Sequence, residues 1–222
     1  MRKGVLLIIL FVSTLSVCGQ QVFIETGTVI SAFDYKNSEG EKLDNLYGGH
    51  HLLLQAGYHA AISNSRLNYS FGISYAGYVS SGSDTTLGNF YAWEADYIGT
   101  ELALEYEIIS NNFASSSANN TAVFLKVAIS PEILIHGTQT INEQVYSLAG
   151  VEQFKHPFLF ARGGAGICYS VTRLISIYGE YMAGYGFPVK IGDTDDKEKL
   201  GIISHNISFG LFINLPSYES RR

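Results

Sequence analysis

Apolar residues recur at every second position along most of the chain. Leu67, Tyr69, Phe71, Ile73 and Tyr75 alternate with Asn68, Ser70, Gly72 and Ser74. Successive side chains of a strand point to opposite faces, so this stretch has an aromatic apolar face and a small polar face. A helix would scatter both sets around its surface. The same period runs through Val22, Ile24, Thr26, Thr28, Ile30 and Ala32, with Glu25 and Gly27 between them. Leu52, Leu54, Ala56, Tyr58, Ala60 and Ile62 alternate with Gln55 and His59. Ile98, Leu102, Leu104, Tyr106 and Ile108 alternate with Glu101, Glu105 and Glu107. Val123, Leu125, Val127 and Ile129 alternate with Lys126 and Ser130. Leu159, Ala161, Ala165, Ile167, Tyr169 and Val171 alternate with Arg162, Gly164 and Gly166. Ile175, Ile177, Tyr181, Ala183 and Tyr185 alternate with Ser176, Tyr178 and Glu180. Ile207, Phe209, Leu211, Ile213 and Leu215 alternate with Asn206, Ser208, Gly210 and Asn214. These are eight predicted strands, each long enough for the ~9–11 residues that cross a tilted bilayer path.

The predicted connections fall into two lengths. Short turns are expected at Asn64 and Ser65 and at Thr172 and Arg173, with a polar Ser/Asn run over 110–120. Longer loops are expected over 36–48, 80–89, 137–156 and 188–198. Short turns at one end and long loops at the other, with an even strand count, predict an all-β, eight-stranded, antiparallel up-and-down transmembrane β-barrel. Both chain termini then lie at the short-turn end.

The faces decide between a barrel in water and one in lipid. A membrane barrel is apolar outside and polar inside. The broad faces here carry Leu, Ile, Val and Tyr, and the narrow ones carry Gly, Ser, Asn and isolated charges. A soluble eight-stranded ligand carrier would need water-facing charge on every strand. Charged residues are only 15% of this chain, against a usual ~25%. An eight-stranded interior is just wide enough to be filled by side chains. The lumen is expected to hold Glu25, Gln55, His59, Glu101, Glu105, Lys126, Arg162, Glu180 and Asn206 as a polar network. Charges in so narrow a space need partners, and Glu105 is expected within reach of Lys126. Aromatic residues near the predicted loop ends are expected to form an interfacial girdle. They are Phe33, Tyr35, Tyr75, Tyr78, Phe90, Tyr91, Trp93, Phe158, Phe160, Tyr185 and Phe187.

Composition narrows the picture further. Aromatics are 13% of 222 residues and the net charge is −6. The first figure excludes a disordered chain, and the second gives no basic footprint for nucleic acid. Arg2 and Lys3, then the apolar run from Val5 to Val12, then Val17, Cys18 and Gly19 predict a cleaved signal peptide over 1–19. Val17 suits lipidation of Cys18 poorly. The leader holds two of the 14 basic residues and none of the 20 acidic ones, so its loss takes the net charge from −6 to −8. Cys168 is then the single thiol, which leaves no internal disulfide. The barrel is expected over 20–215, with a short tail over 216–222.

Several strings add a likeness. They are Gly27 to Tyr35, Asn37-Ser38-Glu39-Gly40, Leu43-Asp44-Asn45-Leu46, Trp93 to Gly99, Gly137 to Asn142, and Arg162-Gly163-Gly164-Ala165-Gly166. With them the chain resembles the small outer-membrane β-barrel proteins of Gram-negative bacteria, of the porin-like type. That resemblance implies the cell outer membrane as location, with outer-membrane lipid and the outer-membrane assembly machinery as partners. Many such barrels end in an aromatic residue, whereas this chain continues past Leu215 through Pro216 to Arg222.

Candidate chemistry is sparse. His50, His51, His59, His136, His156 and His205 follow no recognised metal-ligand spacing. Ser204-His205 has no visible third group to orient it as a hydrolytic pair. Gly192, Asp193, Thr194, Asp195 and Asp196 lack the terminal Glu of a calcium loop. Gly163-Gly164-x-Gly166 sits inside a strand pattern and is expected to relieve crowding in the lumen. No catalytic residue, cofactor, metal or nucleic-acid partner is expected, and the chain reads as no enzyme. The expected role is structural or surface-interacting, exerted through the extracellular loops on an unidentified surface ligand. The alternative is a narrow channel or an accessory part of a transport or secretion system.

Overall fold

The computed structural model describes residues 20–36, 46–62, 65–83, 90–110, 121–189 and 199–215. The expected leader over 1–19, the tail over 216–222 and the acidic stretch over 192–196 lie outside the described residues. So do most of the connecting stretches 36–48, 80–89, 110–120 and 188–198.

Strands β1 (Gln20–Lys36), β2 (Leu46–Ala61), β3 (Leu67–Ser83), β4 (Phe90–Ser110) and β5 (Thr121–Ile141) come first. The short β6 (Gln144–Ser147) and one helical turn, α1 (Glu152–Lys155), follow. Then come β7 (Phe158–Ser170), β8 (Ile175–Pro188) and β9 (Lys199–Asn214). Every pairing is antiparallel. The order β4-β3-β2-β1-β9-β8-β7-β5 is closed by β4 against β5, so eight strands form a ring. The ring closes between first and last strands from Gln21↔Asn214 to Lys36↔Lys199. Leu215 N donates to Gln20 O at 2.8 Å, so the start of β1 and the end of β9 meet at the short-turn end. The turn at 171–174 joins β7 to β8 there.

Side-chain alternation sets inside and outside. Ile24, Ile73, Leu102, Leu104, Val127, Ile129, Ile177 and Phe209 face outward and are exposed. Glu25, Gln55, Glu101, Lys126, Arg162 and Ser208 face inward and are buried. Solvent-facing apolar residues in continuous rows over a charged interior are the arrangement of a lipid-spanning barrel. No helix among the described residues is long and apolar enough to cross a membrane.

The segment expected as an open loop over 137–156 is mostly ordered structure. Strand β5 continues through Pro131, which still pairs across to Leu159, and reaches Ile141. A two-residue turn with positive φ at Asn142 and Glu143 then folds β6 back onto β5. Left-handed turn residues match the twist of a hairpin, and Asn tolerates them best. Leu148 and Phe154 are buried and pack into the loop-end core with Phe33, Phe158 and Phe160. Gly137 makes room for this, since a Cβ there would stand 2.9 Å from Leu148 Cδ1. Pro131 and Gly137 look like breakers in sequence. In the fold one lies on the outer face and the other under a buried leucine.

Strand β2 carries one irregularity, a bulge against β3 between Gly48 and Leu53. There Ser31 of β1 reaches β3 directly. Its hydroxyl donates to Val79 O at 3.0 Å and accepts from Val79 N at 2.8 Å. Buried backbone groups freed by a bulge need such partners.

Candidate functional site: the charged lumen

Inward-facing residues stack in three layers. At the loop end Val29, Phe33, Tyr78, Tyr97, Leu148, Phe154, Phe158, Phe160 and Ile202 form a buried, mainly aromatic layer. Tyr78 and Phe160 stack with ring centroids 4.9 Å apart. At the turn end Phe23, Ala122, Phe124, Cys168, Tyr178 and Phe212 form a second apolar layer. The charges lie mainly between these layers.

The expected girdle is therefore only partly correct. Phe90, Tyr185 and Phe187 face outward and are exposed. Phe33, Tyr78, Phe158 and Phe160 instead lie inside, almost fully buried. The reason is parity. Tyr78 continues the inward series of Asn68, Ser70 and Ser74, and Phe158 and Phe160 continue that of Arg162. Tyr35, Tyr75, Tyr91 and Trp93 are half-buried, and Trp93 packs 6.4 Å from Phe33.

All nine residues expected in the lumen are buried. Lys126 Nζ lies 2.9 Å from Glu180 Oε1 and 3.3 Å from Glu101 Oε1. Gln55 Nε2 donates to the same Glu101 oxygen at 3.0 Å. Glu105 is the register partner of Lys126 across β4 and β5, yet the lysine's ion pairs are made with Glu101 and Glu180. Glu105 turns instead to His59 Nε2 at 3.1 Å and accepts from Ser70 Oγ at 3.3 Å. A long ammonium stem passes its register partner to reach carboxylates elsewhere on the wall. Glu25 accepts from Tyr178 OH at 2.7 Å. Asn206 is buried, and its Oδ1 has no hydrogen-bond partner among the described residues.

Arg162 makes the longest crossing. Its Nη2 donates to Glu132 Oε1 on β5 at 2.7 Å and to Tyr78 OH on β3 at 2.7 Å. Tyr78 OH in turn donates to Glu132 Oε2 at 2.6 Å, and Ser130 Oγ donates to Oε1 at 3.0 Å. The guanidinium carbon stands 4.4 Å from the Phe160 ring centroid, a favourable cation–π position. Glycines open this path. A Cβ at Gly184 would stand 2.5 Å from Arg162 Cγ, and one at Gly99 would stand 2.6 Å from Glu132 Cγ. Gly166 similarly lies beneath the Phe124 ring.

Glu132, Glu107, Tyr78, Tyr178, Asn68 and Gln21 belong to this network and were absent from the expected set. Glu107 accepts from Asn68 Nδ2 at 3.0 Å. Extending the alternation of Lys126 and Ser130 past Pro131 would have found Glu132. Glu107 was already in phase with Glu101 and Glu105. Among the described residues the lumen holds six buried carboxylates and two fixed cations, Lys126 and Arg162.

Other sequence candidates separate in space. Ser204 points into the lumen and is fully buried. His205 points outward and shares a hydrogen bond with Tyr181 OH at 2.7 Å. Adjacent strand residues face opposite ways, so these two cannot act as a pair. His51 lies on the outer face 3.1 Å from Glu94, and His136 lies 3.7 Å from Asp96. No group of three potential metal ligands comes together among the described residues.

Solved structures of small outer-membrane barrels are similar in fold. Neisserial surface protein A is 12% identical, with 87% of this chain and 97% of that one covered and a TM-score of 0.47. Outer membrane protein OprG from Pseudomonas aeruginosa is 12% identical, with 90% and 98% covered and a TM-score of 0.48. The N-terminal β-barrel domain of Pseudomonas aeruginosa OprF is 10% identical, with 89% and 100% covered and a TM-score of 0.42. No family model matches the sequence, and no curated protein matches it. The barrel assignment rests on the closed strand register.

Proposed function

We propose that this chain is an outer-membrane barrel whose lumen is a filled polar core, and whose role is structural or surface-interacting at the loop end. The observation that carries this is the Arg162–Glu132–Tyr78 tie. It joins β7, β5 and β3 across the interior, directly beneath a stacked aromatic layer. An open water path would have to break a buried ion pair and displace packed rings, both costly. The apolar belt is the surface for lipid acyl chains, and insertion would pass through the outer-membrane assembly machinery. The ordered β5–β6 hairpin and α1 give the loop end a fixed shape for contacts outside the membrane.

Planar-bilayer recording on the purified full chain tests the filled lumen. Absence of steady conductance is expected. A steady open pore would refute the reading and favour a narrow channel. Cell fractionation tests the location: recovery of the mature chain as a soluble periplasmic protein would refute it.

A further inference from the structure

A chain of hydrogen bonds circles the turn-side end of the lumen, and its direction is fixed by one backbone carbonyl. Asn214 Nδ2 donates to Arg173 O in the β7–β8 turn at 2.6 Å. That leaves Asn214 Oδ1 to accept from Gln21 Nε2, at 2.5 Å. Gln21 therefore presents its Oε1 to His59 Nδ1, at 2.8 Å. An amide oxygen only accepts, so Nδ1 carries a hydrogen. The other ring nitrogen, Nε2, stands 3.1 Å from Glu105 Oε2. A bare ring nitrogen and a bare carboxylate oxygen both bring lone pairs, so a proton between them is required for a bond. Ser70 Oγ donates to the remaining Glu105 oxygen at 3.3 Å.

We propose that His59 and Glu105 form a one-proton latch that fastens the turn-side end of the barrel and lets go when that proton is withdrawn. The latch joins β2 to β4. Through Gln21 and Asn214 it also crosses the seam between β1 and β9, where the ring closes. Other groups face it from the surrounding wall. Phe212 of β9 packs against the imidazole with centroids 4.6 Å apart. Lys126 of β5, Cys168 of β7 and Tyr178 of β8 lie within electrostatic range of Glu105, with Glu107 beside Cys168. Lys126 is held by Glu101 and Glu180, and Tyr178 by Glu25, so neither replaces the proton.

The sign follows from the donors. In acid, a protonated ring still donates from Nε2 to the carboxyl group, so the latch holds. As pH rises and that proton leaves, a neutral ring keeps one N–H, which serves Gln21 Oε1 or Glu105 Oε2 but not both, so the chain opens on one side of the ring. Glu105→Gln removes the need for the proton. Its amide nitrogen donates to Nε2 of a neutral ring, while its oxygen still accepts from Ser70.

The test is heat unfolding of the full folded chain in detergent, read by gel mobility across about pH 5 to about pH 9. The wild-type midpoint is expected to fall by about 5 °C over that range. The midpoint of Glu105→Gln is expected to fall by less than wild type's, since the other lumen carboxylates are common to both proteins, and a fall as large as wild type's would overturn the proposal. Ring 15N spectra of the wild-type protein give a second reading that needs no variant to fold. At the acid end of that range a hydrogen is expected on both ring nitrogens of His59, and a bare Nδ1 with hydrogen only on Nε2 would equally overturn the proposal.

Discussion

Replacing Arg162 by methionine removes the cation paired with Glu132. The two groups lie 2.7 Å apart and both are buried. At an effective dielectric constant of about 20, unit charges at that separation attract by about 6 kcal/mol. Much of this is offset by the cost of taking both from water. Removing one partner leaves the other buried and unanswered, so Arg162→Met should cost about 3–5 kcal/mol. Adding Glu132→Gln cancels the orphaned charge. Its amide oxygen can accept from Tyr78 OH or Ser130 Oγ, and its NH2 can donate to the other hydroxyl oxygen, so the double variant should recover at least about 1–2 kcal/mol of the loss. Urea-dependent folding into lipid vesicles measures both. Trp93 is the only tryptophan, and its place against Phe33 makes its fluorescence the natural signal. If the double variant is no more stable than Arg162→Met, the loss did not come from an uncompensated charge, and the tie is not held by that charge pair.

Leu104→Arg, on the outer face near the middle of the apolar belt, should cost about 2–4 kcal/mol in the same vesicle assay; a neutral result would put that surface in water. Phe160→Ala should cost about 3–5 kcal/mol, yet leave bilayer conductance absent, because the Arg162 tie to Glu132 and Tyr78 remains. Gly184→Ala should lower the heat-unfolding midpoint, since the new methyl meets Arg162 Cγ and Ala161 O at 2.5 Å. Phe154→Ala should leave the barrel folded and speed protease cleavage between 142 and 157, read by mass spectrometry of the fragments.

The barrel was legible because period-two alternation survives across each strand, and because a one-residue slip would turn every side chain to the wrong face. The same rule placed all nine expected lumen residues on the inward side of their strands. At the strand ends residue type and phase disagree: Tyr78, Phe158 and Phe160 are aromatic but share the inward phase, and they are interior. Glu132 lies just past Ser130, the last polar residue in the alternation read for that strand, and shares its inward phase. Pairings within the lumen were less legible. Lys126 has several carboxylates within reach of its flexible stem, and only the three-dimensional taper of the interior selects Glu101 and Glu180 over its register partner Glu105. The hairpin and α1 were invisible to alternation because β6 is only four residues long.

The seam between β1 and β9 differs from every other strand junction in its separation along the chain. Each of the others joins neighbours in sequence, apart from the short β6 excursion, whereas Gln21 must find Asn214. Bringing ends so far apart together is entropically costly and slow. A nascent chain can thus assemble seven hairpin-like junctions one after another and still present two unsatisfied edges. Until β1 and β9 pair, those edges are templates for pairing with other chains. The last sixteen residues of the barrel are therefore a commitment step, and truncation at about residue 198 should yield an aggregation-prone open sheet instead of a smaller barrel.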